Sequence, residues 1–479
     1  MLKVKLLLPS IIMSIFLITG WAYSDTIIVN NLGNSGDGSL RWAMEKANTN
    51  AGSDTIRFNV YGTISPTSFL PAITDNETVI DASSQWAGEW PEGKPGITLD
   101  GGKDVDGLLI DGADKCHIRG LYITNFVESG VSISGAGKFN TIGGTGIGYR
   151  NVISGNDGYG VVINAADSNV VSGNYIGTDV NGTTAMINLY RGVVIAEGAQ
   201  SNTIGGTSAG ERNIISGNGF MGVDIHGSGT NSNVVSGNYI GMDVNGTAAM
   251  GNISYGVSIS EGARSNTIGG TGNTIAFNGD NGVVVDGINT DYNKISKNSI
   301  HDNAGLGIDL VDDGNDEIPV PTITSAVLTE NMLKVEGTIA GADAMVEIFE
   351  TDSFASGEGM TYLGSLTADG SGDFSGDIDV TEKELAAGDL ITSTTTHTDN
   401  NTSEFSLPTD IAVAEVCECD LTNDGKCDMQ DWLLFGEDWG HTDCNEPNVD
   451  CECDLNTDGK CDMQDWLLFG EDWGRTDCP

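Results

Sequence analysis

The sequence predicts a mainly β protein: a parallel β-helix solenoid, then a β-sandwich, then a small α-helical domain. Three observations predict it. A short Gly-aliphatic motif recurs at intervals of 25 to 34 residues, Gly makes up 67 of the 479 residues, and a 28-residue segment near the carboxyl end is repeated almost unchanged. The predicted boundaries are a signal peptide over 1–24, the solenoid with an N-terminal cap over 25–317, the sandwich over 318–411 and the last domain over 412–479.

The first 24 residues have the pattern of a secretory signal. Lys3 and Lys5 precede an apolar run from Leu6 to Ile18, and the small residues Ala22 and Ser24 suit cleavage by signal peptidase. This run is shorter than a membrane span, and no later apolar stretch approaches about 18 residues. We therefore expect a secreted mature chain that begins at Asp25 and has no membrane span.

The chain is strongly acidic. Lys and Arg total 21 against 68 Asp and Glu, which gives a formal net charge of -47. Such a surface repels nucleic acid and acidic sugar polymers unless a metal ion intervenes. The charge therefore argues against a nucleic-acid partner and makes divalent cations the expected ones.

Residues 38–48 predict a helix that caps the solenoid. Ser39 is a candidate N-cap, and apolar residues at 40, 43, 44 and 47 share one face. A strand-like segment from Asp54 to Phe58 follows. The open end of a solenoid exposes unpaired backbone groups, so a helix laid over it protects against aggregation.

Near-copies fill the middle of the chain. Residues 169–186 and 233–250 agree at 16 of 18 positions. A shorter motif, Gly with aliphatic residues one and three positions after it, starts at Gly130, Gly160, Gly192, Gly222, Gly256, Gly282 and Gly307. The aliphatic pair with a variable residue between predicts a half-buried strand. One strand cannot bury its apolar face alone, and stacking coils about 4.8 Å apart builds a parallel β-helix.

Asparagines recur at fixed offsets in these coils. The segments from Asn151 to Asn156 and from Asn233 to Asn238 both begin and end with Asn. Gly and Asn suit the left-handed turn positions between strands. We interpret the asparagines as stacked turn residues that hydrogen-bond along the solenoid, in preference to a binding role.

The segment GSLRWAMEKANTNAGSDTIRF and the repeats NTIGG, NVISGN and GVVI resemble secreted and surface bacterial proteins with right-handed parallel β-helices. The resemblance covers roughly residues 26–311. It implies the fold and its handedness. It does not imply an activity, because one fold hosts many functions.

The coils end at Leu310, and the acidic stretch 311–317 follows. We interpret this stretch as a solvated exit from the solenoid, with a cation site as the alternative.

From 322 to 411, alternating strands separated by Gly, Asp and Ser predict one small β-sandwich. Its ending, Thr398 to Ser406, resembles Ig-like modules that follow such β-helices, which implies a spacer or adhesive role.

The repeat near the carboxyl end carries the most specific pattern. Residues 417–444 and 451–478 are identical at 25 of 28 positions, and each contains D-x-[TN]-x-D-G-x-x-D-x-x-D. A 12-residue loop of this kind supplies Ca²⁺ with oxygens from positions 1, 3, 5, 7, 9 and 12, position 7 through its carbonyl. Two Ca²⁺ sites are predicted, with ligands Asp420, Thr422, Asp424, Lys426, Asp428 and Asp431, and Asp454, Asn456, Asp458, Lys460, Asp462 and Asp465.

Two such loop-helix units resemble a type I dockerin domain. That family binds two Ca²⁺ ions and docks onto cohesin domains, usually attaching polysaccharide-degrading enzymes to a scaffold. Its partner contacts fall around loop positions 10 and 11, which here are Met429 and Gln430, and Met463 and Gln464. The identical residues in both copies imply a domain that docks onto a cohesin-like protein in either of two orientations. Thr422 and the many cysteines depart from the family pattern.

Eight of the nine cysteines lie in the last 63 residues. In an exported chain this cluster indicates a disulfide framework, and four cysteines per copy allow three pairings each. Zinc is the alternative use of Cys-x-Cys. Cys116 stands apart, and we interpret it as a buried, inert thiol in preference to a reactive one.

The candidate catalytic pair is Asp224 and His226, both on the outward face of one predicted strand, with Ser258 and Ser260 expected on the next coil. The alternative is ordinary surface, because the next acid, Asp309, lies about 14 Å along the axis. If the solenoid is an enzyme, polysaccharide lyase and glycoside hydrolase are the expected classes. β-Helix lyases use carboxylate-bound Ca²⁺ with an Arg or Lys base, and β-helix hydrolases use clustered Asp as acid and base.

Three functions follow from these patterns. The first is a secreted, calcium-binding modular protein whose β-helix binds or processes extracellular polysaccharide and whose tail docks to a cohesin-type partner. The second is a polysaccharide lyase or glycoside hydrolase attached to a scaffold. The third is a non-catalytic surface adhesin whose tail is an independent Ca²⁺ module.

Overall fold

The structure is a computed structural model. It describes residues 24–50, 52–86, 95–102, 106–352, 357–413, 419, 421–422, 426–437, 439–440, 444, 453–455, 460–471 and 473–474. They form two compact units. The first unit is the chain up to Ile318 together with Asp399–Glu404, and the second is Pro319–Thr398 together with the chain from Phe405. The predicted signal peptide lies outside the described residues except for Ser24. No helix among the described residues is both long and apolar enough to cross a membrane.

The first unit is a solenoid of three parallel sheets, which confirms the predicted parallel β-helix. Sheet A contains Thr26–Val29, Thr55–Phe58, Val79–Asp81, His117–Arg119, Thr141–Gly143, Val170–Ser172, Thr203–Gly205, Val234–Ser236, Thr267–Gly269 and Lys294–Ser296. Sheet B contains Gly62–Ile64, Ile97–Asp100, Leu121–Thr124, Val152–Ile153, Tyr175–Ile176, Ile214–Ile215, Tyr239–Ile240, Thr274–Ala276 and Ser299–His301. Sheet C contains Leu108–Asp111, Val131–Ser134, Val161–Asn164, Val193–Ala196, Val223–His226, Val257–Ser260, Val283–Asp286 and Ile308–Val311. Short 3₁₀ segments cover Ser83–Trp86 and Ile147–Tyr149.

The aliphatic pairs of the repeat form continuous columns inside the solenoid. Val161 pairs with Val131 on one neighbouring strand and with Val193 on the other, and all three are fully buried. Burying one such side chain contributes about 1.5–3 kcal/mol. The repeat thus builds its core by placing identical residue types above one another.

The prediction that these strands are only half buried is wrong in the middle coils. The variable residues Val162, Val194 and Asp224 point away from the aliphatic columns and are nevertheless buried. The physical reason lies in the turn before each strand, which carries bulky side chains. Tyr159, for example, packs against Val162 and Val194. The outer face of sheet C is therefore partly enclosed.

Three asparagine ladders run along the solenoid and confirm the structural interpretation of these residues. In each ladder, an N–H group of one asparagine donates to Oδ1 of the asparagine in the next coil. The ladders are Asn140, Asn169, Asn202, Asn233, Asn266, Asn293 and Asn315; Asn151, Asn174, Asn213, Asn238, Asn273 and Asn298; and Asn156, Asn188, Asn218, Asn252, Asn278 and Asn303.

Asn213→Ala should destabilise the solenoid by about 2–5 kcal/mol, because buried polar groups that lose their partners cost about 1–3 kcal/mol each. Nδ2 of Asn213 donates to the Val171 carbonyl at 2.8 Å, and its Oδ1 accepts from the backbone N–H of Asn174 at 2.9 Å. Denaturant unfolding measures the loss. Asn59→Ala, at an exposed asparagine, is the control and should change stability by less than about 0.5 kcal/mol. Equal losses in the two variants would show that the ladder is not stabilising.

A short helix, Leu40–Ala47, packs on the first two strands of sheet A, as predicted for a cap. Ser39 is its N-cap, since its side chain accepts the N–H of Trp42 at 3.2 Å. The predicted apolar face is also confirmed: the buried helix residues are Leu40, Ala43, Met44 and Ala47.

The other end of the solenoid is closed by Asp399–Glu404, which sequence analysis had placed with the sandwich. Thr402 Oγ1 accepts the N–H of Ile295 and Glu404 Oε1 accepts the N–H of Leu310, each at 3.0 Å. These donors lie on the last strands of sheets A and C. The segment therefore satisfies edge groups that would otherwise be open to pairing.

The four acids of the exit at 311–317 are exposed, as the interpretation of a solvated exit predicts, but the stretch also contains a buried residue. Asn315 is buried, continues an asparagine ladder and donates from Nδ2 to the Thr402 carbonyl at 3.1 Å. Asp316 accepts from Asn401 Nδ2 at 2.9 Å. The stretch is part of the closing contact, because the 399–404 segment covers it.

In the second unit, two four-stranded sheets share one apolar core, as expected for a β-sandwich. One sheet contains Asp373–Asp379, Met332–Thr338, Thr322–Thr329 and Ala412–Val413. The other contains Thr361–Thr367, Met345–Thr351, Leu390–Thr396 and Thr409–Asp410.

The two copies of the C-terminal repeat each contribute a helix, Met429–Glu437 and Met463–Glu471. The Phe435 and Phe469 rings meet with centroids 4.6 Å apart. The backbone contacts are reciprocal: Gly440 N–H donates to the Cys461 carbonyl and Gly474 N–H donates to the Cys427 carbonyl, both at 3.0 Å. The copies are thus related by a pseudo-two-fold arrangement.

Candidate functional site

The strand Val223–His226 in sheet C carries the candidate pair. Asp224 lies beside Val194 on one neighbouring strand and beside Ser258 on the other, while His226 lies beside Ser260. The predicted placement of the two serines is confirmed. Asp224 is only 2% exposed, so its carboxylate is buried on this face of the sheet.

One carboxylate oxygen of Asp224 gathers two other side chains. His226 Nδ1 lies 2.8 Å from Asp224 Oδ2, and Arg191 Nε lies 2.9 Å from the same oxygen. The arginine contact is an ion pair, since its Nε has no partner in hydrogen-bond geometry. We call Arg191, Asp224 and His226 the outer-face site.

The hydrogen bond to the Asp224 carboxylate raises the pKa of His226 above its ordinary value of 6.5, although burial acts in the opposite direction. A carboxylate bound to one ring nitrogen fixes the orientation of an imidazole and leaves the other nitrogen for chemistry. Because Nδ1 faces Asp224, Nε2 of His226 is the nitrogen left to exchange a proton with a ligand.

Asp224→Asn should lower the pKa of His226, because it removes the charge that stabilises the imidazolium. The pKa of His226 is raised in the folded protein. The pair therefore stabilises the fold fully below pH 6.5, and this contribution is lost as the pH rises through the raised pKa. NMR titration of the five histidines measures the shift, with His301 as internal control. If the pKa of His226 is the same in the wild-type protein and in Asp224→Asn, the hydrogen bond between the two side chains does not form.

Sequence reasoning missed Arg191. It directly precedes Gly192 in the repeat motif, one coil before Asp224. A signal was present, because the residue before each motif Gly sits at the edge of the same sheet face, where Tyr159 also lies. Reading that position as a column would have placed Arg191 beside Asp224.

Aromatic rings surround the arginine. The Arg191 guanidinium lies 5.9 Å from the ring centroid of Tyr159 and 5.5 Å from that of Phe220. Tyr190 stands beside Tyr159 with centroids 5.6 Å apart. Tyr190 and Phe220 are 53% and 39% exposed. Exposed rings beside charged groups suit a ligand with both apolar faces and polar edges.

A groove continues along the same face. A cavity of about 380 Å³ is lined by residues of three sheet C strands and by Tyr159, which also contacts Arg191. Asn164 lines it, and its Oδ1 is buried with no hydrogen-bond partner among the described residues. Asn164, Ala196 and His226 occupy the same register position on three successive strands of sheet C, and we call such a set a column. Two coils span about 10 Å, so a linear ligand several units long could contact both.

Two acids, Asp286 and Asp309, lie further along sheet C, and a third, Asp280, lies in the turn before the strand Val283–Asp286. Burial and the nearby charges of Asp280 and Asp286 raise the pKa of Asp309, whose Oδ2 accepts from Asn281 Nδ2 at 2.6 Å. Asp286 and Asp309 are on adjacent strands, and Asp286 shares the His226 column two coils on. Asp286, which lies on the strand next to that of Asp309, was not among the predicted site residues.

The predicted Ca²⁺ loops are only partly described. Asp420, Asp424, Asn456 and Asp458 lie outside the described residues. At position 12 of the first loop, the buried Asp431 accepts from the N–H groups of Thr422 and Asp428 at 2.9 and 2.8 Å. Burial opposes ionisation, but these N–H groups outweigh it and lower the pKa of Asp431. The second loop repeats one of these contacts, from Asp462 N–H to Asp465 at 2.8 Å.

Carboxylate and carbonyl oxygens are the ligands that a hard cation prefers. Each carboxylate oxygen has two lone pairs, so Asp431 retains acceptor capacity after the backbone bonds. Lys426 and Lys460 offer the predicted carbonyls, and Asp454 lies at position 1 of the second loop. Among the described residues alone, no cluster of three metal-binding side chains occurs.

The cysteines of both loops form disulfides, Cys419–Cys427 and Cys453–Cys461. Cys444 is also disulfide-bonded. The zinc alternative is therefore wrong for these residues. Cys116 is a free, buried thiol, and burial raises its pKa to about 11, as expected for an inert group.

The C-terminal helices expose apolar side chains at the predicted partner positions. Met429 is 60% and Met463 59% exposed, and Gln430 and Gln464 are exposed beside them. Two apolar grooves of about 380 and 390 Å³ open between the helices, and each is lined by tryptophans from both copies. The repeat therefore presents two equivalent apolar surfaces.

No family model matches the chain. The chain is similar to the A-module of Azotobacter vinelandii mannuronan C-5 epimerase AlgE6, with 17% identity over 60% of this chain and 80% of that one and a TM-score of 0.39. It is similar to pectate lyase Pel9A, with 17% identity over 58% and 70% and a TM-score of 0.30. It is also similar to the enzymatically active domain of bacteriophage CBA120 tailspike protein 2, with 12% identity over 81% and 72% and a TM-score of 0.31. Likenesses this distant assign no activity to this chain.

Proposed function

We propose that the protein is a secreted polysaccharide lyase: the right-handed β-helix binds an acidic extracellular polysaccharide along the outer face of sheet C and cleaves it by β-elimination. The observation that carries the proposal is the contact of both Arg191 and His226 with one oxygen of the buried Asp224, beside a groove. In it, His226 is the base, Arg191 binds the sugar carboxylate and Asp224 is a positioning residue.

The reaction needs one base and one cationic group. Nε2 of His226 removes the proton from the sugar carbon next to the carboxylate, and that electron pair forms a carbon–carbon double bond. The bond to the leaving glycosidic oxygen breaks, and this oxygen takes a proton from water. Arg191 stabilises the negative charge that develops on the sugar carboxylate. The aromatic rings around Arg191 offer stacking surfaces for sugar rings.

Hydrolysis at the outer-face site is disfavoured by its geometry. Glycoside hydrolases use two carboxyl groups about 5–5.5 Å or 6.5–9.5 Å apart. Asp224 already binds Arg191 and His226, and the next acid in the His226 column, Asp286, lies two coils away at about 10 Å.

The acids further along the face support a second candidate function, hydrolysis. Asp286 and Asp309 lie on adjacent strands, and the raised pKa of Asp309 suits a general acid. In this alternative, Asp309 protonates the leaving oxygen and Asp286 activates water. The products distinguish the two reactions, because only elimination creates an unsaturated sugar.

A panel of acidic and neutral polysaccharides, assayed for both unsaturated products and reducing ends, tests the proposal. We expect unsaturated products from an acidic substrate, formed much more slowly by Asp224→Asn and at the wild-type rate by Asp309→Asn. The net charge of -47 repels a polyanion, so activity should increase as salt screens that repulsion. Saturated products that depend on Asp309 would favour hydrolysis. Binding without cleavage by the wild-type chain would favour a non-catalytic adhesin.

We also propose that the C-terminal module binds two Ca²⁺ ions and docks the enzyme onto a cohesin-type protein. The buried position-12 carboxylates and the two equivalent apolar surfaces support this role. Pull-down with cohesin domains in Ca²⁺ tests it. With two docking orientations, the Met429→Asp and Met463→Asp single variants should each still bind the cohesin. The double variant should not bind it. Retention by the double variant would contradict the assigned surface.

A further inference from the structure

Residue 25 is fixed against the body of the solenoid. The Asp25 N–H donates to Asp54 Oδ1 at 3.0 Å, and the Asp25 carbonyl accepts the N–H of Thr55 at 2.8 Å. The first strand of sheet A, Thr26–Val29, begins one residue later. The backbone nitrogen of Asp25 therefore has a defined acceptor.

That acceptor belongs to a buried carboxylate that forms no salt bridge among the described residues. Asp54 is 0% exposed, and its Oδ2 has no hydrogen-bond partner among the described residues. Oδ2 of Asp75 is likewise buried and without such a partner in the described part of the chain. An ionised carboxylate that leaves water without a partner charge is costly.

The charged groups around Asp54 are mostly acids. Burial raises the pKa of Asp54, and the Asp25 carboxylate raises it further, while the Asp25 N–H, the Asn50 side chain and Lys46 act in the opposite direction. Burial also raises the pKa of Asp75, with contributions from Asp54 and Glu77. A positive charge near Asp25 N would offset this cluster.

We propose that signal peptidase hydrolyses the Ser24–Asp25 bond and that the α-ammonium group formed on Asp25 is the cation that pairs with buried Asp54. In the hydrolysis, the hydroxyl of water joins the Ser24 carbonyl carbon and its proton joins the Asp25 nitrogen. The amine then takes another proton from solvent at neutral pH. One N–H already points at Asp54 Oδ1. Cleavage adds the charge and two further donors, so removal of the leader locks the N-terminal end of the solenoid.

The test uses the secreted full-length chain. N-terminal sequencing should give Asp25 as the first residue. The pKa of its ¹³C-methylated α-amine, followed by NMR, should lie about one unit or more above the ordinary 7.7–8.0. Asp54→Asn should return it to the ordinary range. Asp37→Asn, which removes an exposed acid of the same type, should leave it raised.

A second comparison does not depend on a variant that folds poorly. A wild-type chain that begins at Ser24 carries its ammonium group one residue before the Asp25 nitrogen that contacts Asp54. It should melt several degrees lower than the chain that begins at Asp25. Pairing raises the pKa of the amine. The difference in melting temperature between the two chains should therefore be largest below about pH 7.7 and vanish as the pH rises through the raised pKa. A secreted chain that starts elsewhere, an α-amine with an ordinary pKa, or equal melting of the two chains would overturn the proposal.

Discussion

His226→Gln should lower the rate of polysaccharide cleavage by about 100- to 10,000-fold, the range by which a positioned general base accelerates proton transfer. Glutamine can occupy a similar volume and donate to Asp224, but it cannot remove a proton. The effect should fall on kcat more than on KM, because Arg191 and the aromatic rings remain to bind substrate.

The matched control is His301→Gln. His301 Nδ1 lies 2.8 Å from Asp302 Oδ2, so it forms the same type of pair, but on sheet B. Its replacement should leave the cleavage rate within about two-fold, since it is away from the outer-face site. Equal losses in both variants would show that His226 is not the base.

The pH profile adds an independent test. A base must be neutral, so the rate should rise as the pH passes the raised pKa of His226. Asp224→Asn lowers that pKa, and the midpoint of the remaining activity should move to lower pH. A profile with an unchanged midpoint would contradict the role of Asp224 as a positioning residue.

Removal of Ca²⁺ should strongly destabilise the C-terminal module. A ligand present at about 1,000 times its Kd stabilises the folded state by about 4 kcal/mol per site, and chelation should withdraw that stabilisation from the C-terminal module. Trp432, Trp439, Trp466 and Trp473 surround the helix pair. Their fluorescence should therefore change on chelation in the full-length, disulfide-bonded chain.

Single variants separate the two sites. Asp431→Asn and Asp465→Asn each keep the side-chain volume and should each remove one of two bound Ca²⁺ ions in calorimetry, because position 12 supplies charged ligand oxygens. Glu437→Gln, at the end of the first helix, removes a charge outside the loop and should leave both sites intact. Identical fluorescence with and without chelator, and no heat of binding, would exclude the calcium sites.

The periodicity of the sequence was enough to predict the solenoid. Aliphatic residues one and three positions after each motif Gly had to share a face, and stacking was the only way to bury it. The asparagine ladders followed from the same repeat, because identical residues at fixed offsets meet between coils. The cap helix could be predicted from the N-cap residue Ser39 and from the spacing of the apolar residues after it, since both signals are local in sequence.

Contacts between unlike side chains of neighbouring coils, and contacts between distant segments, were missed. Arg191 reaches Asp224 from the preceding coil, and the register that joins them depends on the lengths of the intervening turns. The segment Asp399–Glu404 closes the solenoid from far along the chain. No periodic signal marks it. In the C-terminal module, the contact of Phe435 with Phe469 depends on how the two copies pack together.

We propose that the outer face of sheet C binds the polysaccharide at Arg191, Asp224 and His226. Histidine-selective NMR, recorded while an oligosaccharide of the cleaved polymer is added to the Asp224→Asn chain, measures this binding. We expect the His226 signal to shift in a saturable way while the His301 signal stays in place. Saturable binding that leaves His226 unmoved, or that moves His301 instead, would contradict the claim.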